Sequence, residues 1–287
     1  MARLVLGTAQ FGSAYGITNA IGRLPDEGVR EILATARRGG IDTFDTAADY
    51  GDSQSRLGAL GAPGGRYLTK FSFGENEPDA DTLFAGSART LGSDVLAGVM
   101  FHLVSDLADE RAPRAIAVLT EAVSEGAIDR AGVSIYDEDD LELALSTFPD
   151  LGLLQLPGSI VDGRLLANPR IAELHDHGVE IYVRSAFLQG VLLAGEDSVP
   201  SFLSGLVPAI RGLAERARRE GTTPLALALG FLRDAPVVDG VVVGATTTGE
   251  LTGILDGWNA DAIAGDTLGT GLARELLDPR FWDRSKE

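Results

Sequence analysis

Short apolar runs alternate along the chain with segments of helical period. Leu4-Val-Leu, closed by Gly7, opens the series as a strand. From Pro25 to Arg38 the apolar positions Val29, Ile32, Leu33 and Ala36 recur at helical spacing, and Gly39-Gly40 follows. Thr43-Phe-Asp45, Tyr67-Leu-Thr-Lys70 and the run from Val95 to His102 predict three further strands, with helices over 53–60, 79–91 and 112–125 behind them. The second half keeps this rhythm. Strands are expected at 131–134, 153–155, 180–184 and 240–243, and helices at 139–147, 169–176, 206–220, 224–233 and 248–257. A strand-helix alternation of this kind implies parallel strands joined by right-handed crossovers.

The eight strand-helix units predict one closed (β/α)8 TIM barrel over 1–287, with 259–287 as a C-terminal helix or tail packed on it. In that fold the site lies at the C-terminal ends of the strands. A doubly wound open sheet is the rival, but Gly7-Thr-Ala-Gln-Phe-Gly12 lacks the G-x-G-x-x-G spacing, and no phosphate loop of the G-x-x-x-x-G-K-[ST] type occurs.

Composition narrows the function classes. With 24 Lys and Arg against 42 Asp and Glu, the net charge of −18 repels phosphate backbones, so nucleic acid is not an expected partner. The absence of Cys removes disulfides, thiolate metal sites and a cysteine nucleophile. No apolar window approaches the length of a membrane span, and the three apolar residues after Arg3 are too short for a signal-peptide core; a cytoplasmic protein is expected. His175 and His177 stand at i and i+2, on different sides of a helix, so no metal site is expected there. Asp137 to Asp140 reads as an acidic helix N-terminus, and Glu215 to Glu220 as a solvated helix face.

A barrel would bring the polar residues at its strand ends to one mouth. Asp45 and Tyr50 follow strand 2, Lys70 ends strand 3 and His102 ends strand 4. A phenol is a weak acid until a nearby ammonium stabilises its phenolate, and a buried Lys needs a carboxylate to keep it charged. A neighbouring His can orient a carbonyl oxygen by hydrogen bonding. On this reading Tyr50 donates a proton, Lys70 tunes it, Asp45 holds Lys70, and His102 positions the substrate.

These motifs resemble the aldo-keto reductase family. The likeness runs through Leu6-Gly-Thr-Ala-Gln-Phe-Gly12, Asp45-Thr-Ala-Ala-Asp-Tyr-Gly51 with Ser53 behind it, Thr69-Lys70 and Phe101-His102, then Gly132-Val-Ser134, Leu154-Gln155 and Val243-Gly-Ala-Thr-Thr-Thr248. It implies a carbonyl oxidoreductase dependent on NADP(H) or NAD(H), with Asp45, Tyr50, Lys70 and His102 catalytic. It places Ser134 and Gln155 at the nicotinamide carboxamide, and Arg184 where the family has an aromatic under the nicotinamide. Ser185 and Leu188 fall near the pyrophosphate, and Gly244, Ala245, Thr246 and Thr247 near the adenosine phosphate. The family's Asn after Ser134 is Ile135 here. Glu250 stands where many NADPH-preferring members carry a cation, which makes NADH plausible beside the family's usual NADPH.

Gln10, Phe11 and Tyr15, with the stretch 189–202, are expected to line the substrate pocket; the pairing of Tyr15-Gly-Ile-Thr-Asn19 with Arg184-Ser-Ala-Phe-Leu-Gln-Gly190 resembles bacterial members linked to sugar and polysaccharide metabolism, which implies a polar, sugar-like carbonyl or the matching alcohol. No obligate protein partner is evident, and a monomer is the family default. Two other readings remain open: a non-catalytic cofactor-binding barrel subunit, and a Schiff-base lyase built on Lys70.

Overall fold

The computed structural model describes residues 2–61, 64–74, 80–261, 265, 267–269 and 271–282. Eight parallel strands close on themselves in sequence order, β1 (Arg3–Gly7), β2 (Thr43–Asp45), β3 (Arg66–Phe71), β4 (Gly98–Phe101), β5 (Ala131–Ser134), β6 (Leu153–Pro157), β7 (Glu180–Arg184) and β8 (Gly240–Val243). β1 pairs with β8 through Arg3 opposite Gly240 and Leu6 opposite Val243, which seals the barrel. Each strand is short and almost wholly buried, as expected where helices cover the outside and side chains fill the inside.

The outer layer follows from the helical segments: α1 (Asp26–Arg38), α2 (Ser53–Leu60), α3 (Ala80–Leu91), α4 (Ala112–Ser124), α5 (Glu138–Thr147), α6 (Pro169–Asp176), α7 (Val207–Glu220), α8 (Pro224–Arg233) and α9 (Thr248–Asn259). α1 buries Val29, Ile32, Leu33 and Ala36, the stripe legible in the sequence. Its ends are matched to the helix dipole by Asp26 and Glu27 in the first turn and Arg37 and Arg38 in the last. α5, α8 and α9 start at side-chain caps: Asp137 accepts from Asp140 N–H, Thr223 from Ala226 N–H and Thr247 from Glu250 N–H. Beyond α9 the chain forms α10 (Arg274–Leu277) and a 3₁₀ turn over Pro279–Phe281. Among the described residues no helix is long and apolar enough to cross a membrane.

Three expectations shift at their edges. The fourth apolar run begins pairing in earnest only at Gly98; Val95 is exposed and Leu96 makes a single bridge to Ile128. α3 begins at Ala80, and Asp79, where the pattern started it, lies outside the described residues, as do 283–287 of the tail. The stretch 189–202, expected only to line the pocket, falls with the residues up to α7 into three short 3₁₀ turns over 191–206.

Candidate active site

The two-residue period of the strands builds the site directly on the barrel core. Leu68, Met100, Leu153 and Tyr182 fill the interior. Two positions further along each chain, on the same face, stand Lys70, His102, Gln155 and Arg184. One step inside the barrel is apolar packing; the next is chemistry. Asp45 ends β2 in register with Gly7 and Leu68.

Asp45 and Lys70 form a buried ion pair. The ammonium donates to both carboxylate oxygens, at 2.7 and 2.6 Å, and to the Thr46 carbonyl at 3.2 Å, so its three protons are committed. The side chains are 1% and 4% exposed. Burial pulls the Lys70 ammonium below its ordinary value, and the Asp45 carboxylate opposes it. Gln155 Nε2 also donates to Asp45, at 2.8 Å, leaving its own Oε1 as an acceptor. Lys70 Nζ lies 5.4 Å from the Tyr50 ring centre. Burial, and after it the Asp45 carboxylate, push the Tyr50 phenol up; the Arg184 guanidinium works against them. Arg184 thus joins Lys70 as a cation near the phenol.

Tyr50 is set in place by two glycines of the local motifs. A Cβ on Gly12 would fall 1.8 Å from the Tyr50 carbonyl oxygen, and Gly51 has φ +58 against the Gly12 carbonyl. The β2–α2 loop thus rests on the helical turn over Ala9–Gly12, and Ser53 ties it further by donating to the Thr8 carbonyl at 2.8 Å.

A cavity of about 490 Å³ opens at the C-terminal mouth. Of the expected residues, Asp45, Tyr50, Gln155, Arg184 and Ser185 line its inner part, and Gly244, Ala245, Thr246 and Glu250 its outer part. Gln10 and Tyr15 line it too; Gln10 packs so close to Gly244 that a Cβ there would meet its amide nitrogen at 2.6 Å. Lys70, His102, Ser134 and Thr247 stand outside this lining: Lys70 and Ser134 are buried behind it, and Thr247 serves as the cap of α9.

Phe11 and Leu188 do not line this cavity. Phe11 is fully buried in the main core between barrel and helices, because a side chain inside the helical turn over Ala9–Gly12 points away from the mouth while Gln10 points toward it. Leu188 adopts φ +47 and packs into a second apolar cluster with Val191, Leu192 and Leu203; its neighbours Phe187 and Gln189 line the cavity instead. That loop is clasped from the other side, where Thr18 donates to the Gln189 carbonyl at 3.0 Å and leaves no room for a Cβ on Gly190.

Residues that the sequence reading did not single out gather around Arg184 and Tyr50. Arg184 stacks on the Tyr136 ring at 3.8 Å and donates to the Ile135 carbonyl at 2.9 Å and to Ser134 Oγ at 3.3 Å. On Tyr136 a second guanidinium, Arg280, lies 3.9 Å from the ring centre. Arg280 also pairs with Asp278 at 2.7 Å and with Asp137 at 3.1 Å, and Arg274 pairs with Asp137 as well. The acidic start of α5 is thus a latch for the C-terminal segment in addition to a helix cap. Arg280→Ala is expected to lower thermal stability and to loosen Arg184, read as increased motion of the Tyr136 ring by NMR; an unchanged Tyr136 environment would show the stack to be incidental. Asp49, next to Tyr50, accepts a hydrogen bond from His102. His175 lies 3.6 Å from Asp239, and His177 Nδ1 meets the Glu173 carbonyl at 2.7 Å. Among the described residues no group of three or more His, Asp or Glu is arranged to hold a metal ion.

Residues 3–264 match the model of the Aldo/keto reductase family. The chain belongs to that family, whose members are oxidoreductases that act on small carbonyl compounds and generally use nicotinamide cofactors. Solved structures of similar fold include the aldo-keto reductase AKR11C1 from Bacillus halodurans in its holo form, with TM-score 0.72 and 19% identity over 99% of this chain and 95% of that one. The glycerol dehydrogenase AKR11B4 from Gluconobacter oxydans matches with TM-score 0.69 and 19% identity, covering 91% and 87%. The protein PA4992 from Pseudomonas aeruginosa gives TM-score 0.65 and 21% identity, covering 89% and 88%. Among curated proteins none matches.

Proposed function

We propose that the protein transfers hydride between a nicotinamide cofactor and a small aldehyde or ketone, or the matching alcohol, with Tyr50 as proton donor in reduction and acceptor in oxidation. The observation that carries this is the joint placement of Tyr50, Asp45, Gln155 and Arg184 around the inner end of one cavity, with Lys70 buried behind them. Bound cofactor supplies the hydride. Gln155 Oε1 and the Arg184 guanidinium are the groups placed to hold a carboxamide. The turn 244–247, which leads into α9, is placed for the adenosine end. Tyr50 gives its proton to the carbonyl oxygen, and Arg184 favours the phenolate left behind.

The outer end of the cavity favours NAD(H). Glu250 Oε2 accepts from Thr246 N–H at 2.7 Å and from Thr246 Oγ at 2.9 Å, so a carboxylate already occupies donors at the start of α9 that an added phosphate needs. Glu250→Arg is expected to move the NADPH-to-NADH affinity ratio toward NADPH by about tenfold or more. An unmoved ratio would place the 2′-hydroxyl elsewhere.

The lyase alternative is disfavoured. Burial does lower the Lys70 ammonium, but the amine is 1% exposed and its protons are committed to Asp45 and Thr46, out of reach of a substrate carbonyl. Calorimetric titration of the wild-type protein with NADH and with NADPH tests the main reading. Micromolar binding of at least one supports it; binding of neither overturns it.

A further inference from the structure

We propose that Asp49 is a positioning residue for His102: its carboxylate accepts a hydrogen bond from Nδ1–H, so that Nε2 is the ring nitrogen offered to the substrate oxygen. This rests on the hydride-transfer reading above for its consequences, but not for its geometry. His102 Nδ1 lies 2.9 Å from Asp49 Oδ2. Ser72 Oγ donates to that same oxygen, fixing the carboxylate from the residue that follows β3. The bond to His102, with Ser72 behind it, holds the Asp49 carboxyl below its ordinary range against the opposing effect of burial; ionised, it can only accept. The imidazole therefore carries its proton on Nδ1.

The surroundings keep the ring in this attitude. The His102 backbone N–H is pinned to the Phe71 carbonyl at 2.7 Å. The ring meets Tyr50 edge to face, with centres 5.5 Å apart and planes at 80°. Asp49 and Tyr50 are adjacent on one loop, so the strut of His102 and the proposed acid move together. Among the described residues, Asp106 after β4 acts on Asp49, while Lys70 on β3 and Arg184 on β7 lie about the adjacent Tyr50. Asp106 faces Asp49 while its carboxylate accepts from Phe73 N–H at 2.8 Å.

A proton fixed on Nδ1 gives His102 opposite roles in the two directions. In reduction the carbonyl oxygen needs hydrogen-bond donors, and only the doubly protonated ring offers Nε2–H; His102 keeps its proton while Tyr50 transfers one. In oxidation the alcohol hydroxyl needs an acceptor, and the neutral ring offers a bare Nε2. Reduction thereby draws on the doubly protonated ring and oxidation on the neutral one.

The test combines ¹⁵N NMR of the cofactor-free protein with pH profiles in both directions, on wild type and Asp49→Asn. In the wild type the neutral His102 ring is expected as the Nδ1–H tautomer, and reduction is expected to fall by about tenfold per pH unit on its alkaline limb. The Asn amide can donate as well as accept, which admits the Nε2–H tautomer; the variant should show that tautomer, and its alkaline limb should flatten. A wild-type Nε2–H tautomer, or profiles that superimpose, would overturn the proposal. An Nδ1–H tautomer in a protein that binds neither cofactor would leave the pairing standing and sink the hydride-transfer reading.

Discussion

Tyr50→Phe is expected to cut turnover by about 10²–10⁴-fold, the usual yield of a positioned proton donor, while leaving affinity for the cofactor within a few-fold. The substitution removes one oxygen and keeps the ring, so the edge-to-face contact with His102 and the rest of the loop on Gly12 persist. The missing group is the proton that neutralises the developing alkoxide. Burial and Asp45 push the phenol up, which favours its protonated form in the resting site; Arg184 lowers the cost of giving the proton away. Steady-state kinetics in both directions, with cofactor titrations on the same preparations, check this. Activity equal to wild type would remove Tyr50 from the chemistry.

Lys70→Met is expected to cost about 3–5 kcal/mol of stability, because it leaves the Asp45 carboxylate buried without its cation. For a chain of this size that corresponds to a fall in Tm of the order of 10 °C. Gln155 still donates to Asp45, which tempers the loss without replacing a charge. The discriminating variant is the double substitution Lys70→Met with Asp45→Asn, which should recover part of the lost stability even though it removes a second polar interaction. Thermal melts of the two single variants and the double variant decide it. Additive losses would mean that the ion pair is not the coupled unit described here.

The barrel was legible because each element buries a face set by its own period. The stripe Val29, Ile32, Leu33, Ala36 and the strand Tyr67 to Lys70 carry that information locally. The quartet Asp45, Tyr50, Lys70 and His102 was legible for a related reason: strand ends point to one mouth whatever their sequence separation. Glu250 shows a local signal with a second use. Thr247 and Glu250 form the T-x-x-E pattern of a helix start, and the carboxylate proves engaged with Thr246 while it also borders the cavity. Phe11 was misplaced because a neighbour in sequence inside a single helical turn faces the opposite way.

The sequence by itself determined the alternation of elements, the closed barrel it implies, and the residue types gathered at the mouth, since these depend on periods of two and 3.6 and on short motifs. Only the tertiary structure decided which partner each of those residues takes. Arg184, Tyr136 and Arg280 stack across three distant segments, and Asp49 finds His102 across 53 positions. Such pairs have no period along the chain. They arise because closing the barrel excludes water and leaves each charge or hydrogen-bonding group to be satisfied by whichever neighbour the closure delivers.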